Sequence, residues 1–534
     1  MRKHLLIIVA MTILGCLSAR AQTGQLPRSA PAAQGVDPAV LTAFFDSLLA
    51  LPYTQVHHVM VLRHDTVIGE LHVSPFAADD LNTVYSASKT VTALAVGLAI
   101  DDGLLNVDDK VSQHLRDKMP DTLSAALDSL TVRHLLMMGA GTLQREELFR
   151  GSEDWLTAWF KGDFSEPGKH FHYDSMCTHA LAAIVTRVTG KPLLQLVRER
   201  IFEPIGITVN DWEVAPDSIQ VGAWGLRLQA ESEARLGILM LRQGNWHGTQ
   251  LVSSQWIDDM TQRYLSTATA PPPQLSLGEK IMKFLRTVWH EVRSWFTGVN
   301  VDDYYEGYGF QIKSIQQPRT EAFFAVGYGG QVIYVVPSCD MVIVFNAMSR
   351  NYGEMVTMAY NQLITALLTS DNDEALPTDS VVPTATIDPP RGAATSPQEH
   401  LLLGLPITLD DNSLGLQTIL LNRRDGGLGV TLVTDKGDQT FTAVCGSWVR
   451  CAADDIPLYA TLSNVRFRGT RLPLTMVHAY AWSDATHLTL ESIWLDGGDF
   501  LTLGIGIDEG NGVTVDYNDN NDPLLTGTVE GHIQ

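Results

Sequence analysis

Basic residues are scarce in this chain. Its 534 residues carry 37 Lys and Arg against 60 Asp and Glu, a formal charge of −23. Nucleic-acid complexes are held chiefly by basic side chains on phosphates, so a nucleic-acid partner is excluded. Cysteine is sparse as well, five residues in all, which is no disulfide framework. No Cys/His spacing points to a metal and the sixteen histidines are scattered, so neither metal nor cofactor is part of the reading. Beyond the first 21 residues no window reaches eighteen uninterrupted apolar positions, and no later segment is expected to span a membrane. What is left, 45% apolar and 18% charged, is a globular composition long enough for two or more domains with a large core.

Residues 1–21 read as a secretory signal peptide. Arg2-Lys3 is a basic start, Leu5 to Leu14 an apolar stretch, and Ala19-Arg20-Ala21 a small-x-small cleavage site. Cleavage there would remove Arg2, Lys3 and Arg20, taking the formal charge from −23 to −26. The alternative is Ile13-Leu14-Gly15-Cys16, a poor lipoprotein box in which Cys16 becomes the lipidated first residue. The expected location is therefore periplasmic or secreted, with a lipoprotein as the alternative. Of the remaining cysteines, Cys445 and Cys451 are close enough in sequence for a local bridge, or are two buried thiols.

Along the chain, Asp37-Pro38 is a cap followed by proline at the first helical position, and Leu41, Phe44, Phe45 and Leu48 recur at helical spacing behind it. Two apolar runs, His58–Arg63 and Thr66–Leu71, flank His64-Asp65 as a β-hairpin. Residues 91–260 are mostly helical, with segments near 108–116, 131–138, 176–189, 191–203, 230–242 and 253–263. Over 281–296, Ile281, Phe284, Leu285, Val288, Trp289, Val292 and Trp295 form an apolar stripe opposite Lys283, Arg286 and Arg293. That helix packs on the domain, caps the active site, or contacts a membrane surface; the pattern fits all three. Strands resume at 310–314, 322–326, 332–336 and 341–345, before a closing helix at 353–368.

The domain reading is thus a signal at 1–21, a first domain at 22–368 with the 281–296 helix inserted, a polar linker at 369–399, and a C-terminal all-β domain at 400–534. In the last, seven short alternating runs at 416–421, 428–433, 439–444, 473–482, 486–494, 499–506 and 512–517 predict a small antiparallel barrel or sandwich. The fold class is α+β, because helix, hairpin and helical block succeed one another without a repeating βαβ unit.

The chemistry centres on Tyr85-Ser86-Ala87-Ser88-Lys89, which runs into the apolar segment 91–98. If a helix begins near Ser86, Lys89 sits one turn on and the hydroxyl and amine share a face. A serine alone is a poor nucleophile at neutral pH, and a neighbouring amine kept neutral by desolvation can take its proton. Ser-x-x-Lys by itself is a weak pattern, since most occurrences are solvated helix surface.

Further markers follow it in order: Leu130-Thr131-Val132-Arg133-His134; Glu166-Pro167-Gly168 with Tyr173-Asp174-Ser175; Gly225-Leu226-Arg227; Tyr308-Gly309-Phe310; and Gly327-Tyr328-Gly329-Gly330-Gln331. Together they resemble the serine β-lactamase and penicillin-binding-protein superfamily, in the branch with β-lactamase-like esterases and aminohexanoate-dimer hydrolases. The resemblance covers about residues 34–368. It implies an antiparallel sheet flanked by helices with a helical subdomain, and a small-molecule or peptide-like substrate. Ser86 would be the acylated nucleophile, with Lys89 and Tyr173 sharing general-base and general-acid work. The amides of Ser86 and Gln331 would form the oxyanion hole. Gly329 and Gly330, on a strand, would leave room for substrate; a turn glycine pair is the plainer reading of the same residues.

Two departures bear on substrate. Ser175 stands where the family usually has Asn, and Tyr328 where it usually has Lys. A tyrosine hydroxyl can hydrogen-bond but brings no positive charge, so a carboxylate would be held less well. That favours an esterase or small-amide hydrolase over the alternatives, a penicillin-binding D,D-peptidase or β-lactamase. A catalytically silent binding or sensor protein on the same fold is the rival from another class. Oligomeric state is not legible.

Overall fold

The computed structural model describes residues 24–142, 152–209, 211–267, 305–317, 320–349, 351–369, 383–434, 437–453, 474–508, 512–519 and 526–533. The signal segment, Cys16 and the 281–296 helix lie outside the described residues.

Asp37 caps the helix Pro38–Leu49, its carboxylate accepting from the Ala39 amide at 2.9 Å. One face of that helix, Leu41, Phe44, Phe45 and Leu48, is fully buried, and each such side chain is worth about 1.5–3 kcal/mol of transfer free energy. It lies against an eight-stranded antiparallel sheet in the order Thr66–His72, Thr54–Arg63, Met341–Ser349, Gln331–Val336, Thr320–Gly327, Lys313–Gln317, Tyr305–Tyr308, Leu265–Ser266. The hairpin from the beginning of the domain pairs with a strand from its end, Val59 opposite Phe345 and Val61 opposite Ile343. The sheet is therefore closed by both ends of the domain.

The period-two alternation of these strands divides two cores. Val59, Val61, Val332, Tyr334, Ile343 and Phe345 face the terminal helices. Met60, Leu62, Ile333, Val335, Val342 and Val344 face the helical block. That block is built on two helices, Ser88–Asp101 and Ser175–Thr189, the first of which is buried from Ser88 through Ala99. Short helices at Ala125–Ser129 and Trp155–Phe160, absent from the sequence reading, fill its rim. The strand expected at 310–314 instead runs Lys313–Gln317. Phe310 and Ile312 are apolar because they insert into the helical core, and Gln311 between them is left-handed, φ 59°.

All seven C-terminal strands are present, and the described residues add three more, Pro406–Leu409, Val449–Ala453 and Thr526–Ile533. The nine strands from Gly437–Cys445 round to Leu474–Trp482 close into a barrel through a short parallel pairing, Val444 with Ala479 and Cys445 with Tyr480. Leu421, Val430, Leu488, Trp494 and Ile505 fill it. Val449–Ala453 pairs further along the same edge of Leu474–Trp482. Cys445 and Cys451 are both free thiols.

The barrel is held to the first domain at several points. Arg450 donates two hydrogen bonds to Asp80, at 2.7 and 2.5 Å. Phe76 joins Val477, Ile493 and Leu495 in a small apolar cluster. The described part of the polar connection is laid down on both bodies: Ser74 exchanges backbone hydrogen bonds with Ala385 and Ile387, and Ala393 with Trp482.

Candidate active site

Ser86 lies in a single 3-10 turn, Tyr85–Ala87, that leads into the helix Ser88–Asp101. The turn is fixed from within, since the Ser88 hydroxyl donates to the Tyr85 carbonyl at 2.6 Å and accepts from the Leu226 amide at 3.3 Å. It also contacts the facing ends of the strands Thr320–Gly327 and Gln331–Val336. Gly327 permits that approach, because a Cβ there would stand 2.2 Å from the Val84 carbonyl oxygen. Tyr85 is held at φ 44°, a left-handed conformation that costs a non-glycine residue about 1–2 kcal/mol. Strain of this kind persists only where the surroundings over-determine it, and functional sites are where it collects.

The helix start places the two predicted groups together. Lys89 Nζ is 3.0 Å from Ser86 Oγ and donates a second hydrogen bond to the Ala223 carbonyl at 2.9 Å. Lys89 is 1% exposed while Ser86 is only half-buried, so the amine sits inside and the serine is the more accessible of the two. A separation of 3.0 Å is within reach for direct proton transfer. Lys89 Nζ also lies over the Tyr173 ring, 4.8 Å from its centroid.

Tyr173 is exposed, 41%, yet rigidly founded. The next residue, Asp174, caps the helix Ser175–Thr189 through the Met176 amide and accepts from Thr142 Oγ1 at 2.6 Å and Trp159 Nε1 at 3.0 Å. Burial pushes its carboxyl up from the ordinary aspartate range, offset by these three donors. The Tyr173 ring stands edge-on to Tyr308, centroids 6.3 Å apart. Tyr308 is 3% exposed and burial raises its phenol well above the usual value. Ser175 is buried at the helix start.

The Gly327–Gln331 motif departs from expectation. Tyr328–Gly330 is the 3-10 turn between two strands, not a strand itself, and Gly329 and Gly330 have φ of 75° and 99°. A Cβ at Gly329 would meet Met348 Sδ at 2.6 Å, and one at Gly330 Met355 Cε at 2.5 Å. Both glycines are thus favoured by the left-handed turn, with the ends of two methionine side chains packed close against them. Tyr328 is 45% exposed and packs edge-on to Tyr85, centroids 5.7 Å apart. Gln331 opens the following strand with its side chain turned inward: Nε2 donates to the Ala347 carbonyl at 2.7 Å, and Oε1 accepts from Asn346 at 3.0 Å. Asn346 also donates to Glu233, whose carboxyl burial pushes up to about 8.

The sequence reading gave Tyr85 and Arg227 no role. Arg227 is buried, bound through Nη2 to Asp211 at 2.6 Å and through Nη1 to Asp496 of the barrel at 3.1 Å. Adjacency to Ser86 is the one signal that marked Tyr85. Nothing local marks Asp496, which lies 269 residues from Arg227.

A serine–amine pair stands at the head of a buried helix, beside the end of an antiparallel sheet. The family model described as Beta-lactamase matches residues 55–367, more than half of the chain, and the chain belongs to that family. It is similar to the 6-aminohexanoate-dimer hydrolase of Paenarthrobacter ureafaciens, 24% identical over 223 residues, 38% of this chain and 56% of the relative. The chain spans about half the length of the curated relatives it matches. Among solved structures it is similar to the octameric penicillin-binding protein homologue from Pyrococcus abyssi, with 14% identity, a TM-score of 0.44, and coverage of 92% of this chain and 98% of that one. It is likewise similar to a family VIII carboxylesterase, with 16% identity, a TM-score of 0.44, and coverage of 64% and 99%.

Proposed function

We propose that this serine hydrolase cleaves an ester or a small amide through an acyl-enzyme on Ser86. The observation that carries the reading is the 3.0 Å contact between Lys89 Nζ and the hydroxyl of half-buried Ser86. Ser86 Oγ attacks the substrate carbonyl while its proton passes to the Lys89/Tyr173 pair. The same pair returns the proton to the leaving alcohol or amine, then takes one from the water that releases the acid. The amides of Ser86 and Gln331 receive the oxyanion. Tyr328, with Ser175 behind Tyr173, takes the place of a charged anchor. An uncharged anchor suits esters and neutral amides better than substrates held by a carboxylate.

The mature protein is proposed to act outside the cytoplasm. Its exported form is expected to begin at Gln22, and a mass matching a lipidated Cys16 would replace that reading.

The test of substrate class is a panel: a fluorophosphonate probe, a penicillin and a short-chain nitrophenyl ester, each against Ser86→Ala. Ser86-dependent labelling with ester turnover is expected. Turnover of penicillin but not ester would reverse the ranking, and no Ser86-dependent reaction with any of them would remove the hydrolase reading.

A further inference from the structure

The barrel touches the nucleophile turn through one hairpin turn, Leu495 to Gly498, between the strands His487–Trp494 and Asp499–Ile507. Three contacts converge there. The Tyr85 phenol donates to the Gly497 carbonyl at 3.1 Å. The Thr83 amide donates to the Asp496 carbonyl at 2.6 Å. Arg227, paired across a two-residue ladder with Thr83, donates to the Asp496 carboxylate at 3.1 Å. Asp496 is in turn fixed from the barrel side by the Thr475 amide at 2.5 Å.

These contacts bracket Ser86 on its N-terminal side. Thr83 and Tyr85 are tied to the barrel, and between them the Val84 amide donates to Leu226 beside Arg227. Tyr85 is the residue in the left-handed conformation, and its phenol is the handle by which a second domain holds it there. Burial first, then the Asp499 carboxylate, raises that phenol well above its usual value, so it remains a donor across the working pH range.

We infer that the Asp496–Gly498 turn of the barrel is a positioning element of the active site: it holds Tyr85 in its strained conformation and so aims the Ser86 hydroxyl. The C-terminal domain is then a working part of the hydrolase, with Tyr85 and Asp496 as positioning residues. The inference rests on the reading of Ser86 as the nucleophile.

The test uses the full chain and reads the rate of fluorophosphonate labelling at Ser86, kcat and KM for a nitrophenyl ester, and the melting temperature. Tyr85→Phe deletes the phenol hydrogen bond at constant shape, and Asp496→Asn removes the charge facing Arg227. Arg450→Met breaks another clasp between the domains, to Asp80, away from Ser86. Small misplacements of a nucleophile are expensive, so Tyr85→Phe should lower labelling rate and kcat by about tenfold, and Asp496→Asn by about threefold, with KM within about twofold. Arg450→Met should lower the melting temperature while the labelling rate of the folded protein stays unchanged. Parental rates in both Tyr85→Phe and Asp496→Asn would overturn the inference and leave the nucleophile reading intact. An equal loss of rate in Arg450→Met would also overturn it, because the barrel would then be only a general stabiliser. A parent protein that is not labelled at Ser86 overturns both.

Discussion

The two flanks of the Ser86 turn are built from opposite chemistry. In front, Tyr173 and Tyr328 are more than two-fifths exposed, and Lys89 reaches Ser86 and the Ala223 carbonyl by hydrogen bonds and lies over the Tyr173 ring. Behind, Tyr85, Arg227, Asp211 and Asp496 are all buried, and the side-chain and main-chain groups interlock across two domains. The front is arranged to exchange protons and admit a substrate. The rear is arranged not to move.

This contrast predicts that front and rear substitutions separate in what they change. The largest effect belongs to the front: Lys89→Met, close in volume, should lower kcat by about 10³-fold or more, the upper part of the range for proton-transfer groups. Tyr173→Phe should follow at about 10²-fold, with an unchanged melting temperature because the ring and its packing are kept and only the hydroxyl is removed. Steady-state kinetics beside thermal unfolding checks both; a melting temperature that falls with kcat in Tyr173→Phe would break the distinction. At the rear, Arg227→Met leaves Asp211 and Asp496 facing each other without their shared cation, and should cost about 3–5 kcal/mol of stability. Chemical denaturation reads this as a fall in the unfolding midpoint.

A smaller effect lies under the sheet. Burial holds the Glu233 carboxyl at about 8 in the folded protein against an ordinary 4.5. Between those values the unfolded chain has released the proton that the folded chain keeps. The stability carried by the neutral carboxyl is therefore full below about 4.5 and is lost as pH rises through about 8. Glu233→Gln, a neutral mimic, should raise the melting temperature more at pH 8 than at pH 5; equal shifts at both would contradict it. The smallest expected change is at the mouth. Tyr328→Lys should improve KM for carboxylate-bearing esters by about three- to tenfold, relative to neutral ones, through a charge-assisted hydrogen bond. An unchanged ratio would show that Tyr328 does not face that end of the substrate.

The same contrast explains what was legible in the sequence. Ser86 and Lys89 are three residues apart, so helix geometry alone brings them together, and the apolar run 91–98 announces that the helix is buried. Asp37-Pro38 likewise marks its helix locally, as alternation marks the barrel strands Gly427–Thr434 and His487–Trp494. The turn at Tyr328–Gly330 was misplaced onto a strand because two glycines beside an apolar run fit either setting until Met348 and Met355 are seen beneath them. Thr526–Ile533 escaped notice because alternating residues in it are Gly, Thr and Glu rather than an apolar row. The rear flank left no local signal. Tyr85 and Gly497 are 412 positions apart, and nothing in Leu495-Asp496-Gly497-Gly498 distinguishes it from an ordinary hairpin turn.

The central claim is that Ser86 carries the acyl group. Quenching the full chain in acid during turnover of a nitrophenyl ester, then measuring intact and peptide masses, tests it directly. The structure predicts the parent mass plus one acyl group, mapped to the peptide containing Ser86 and absent from Ser86→Ala. An adduct on another residue, or undiminished turnover in Ser86→Ala, would contradict it.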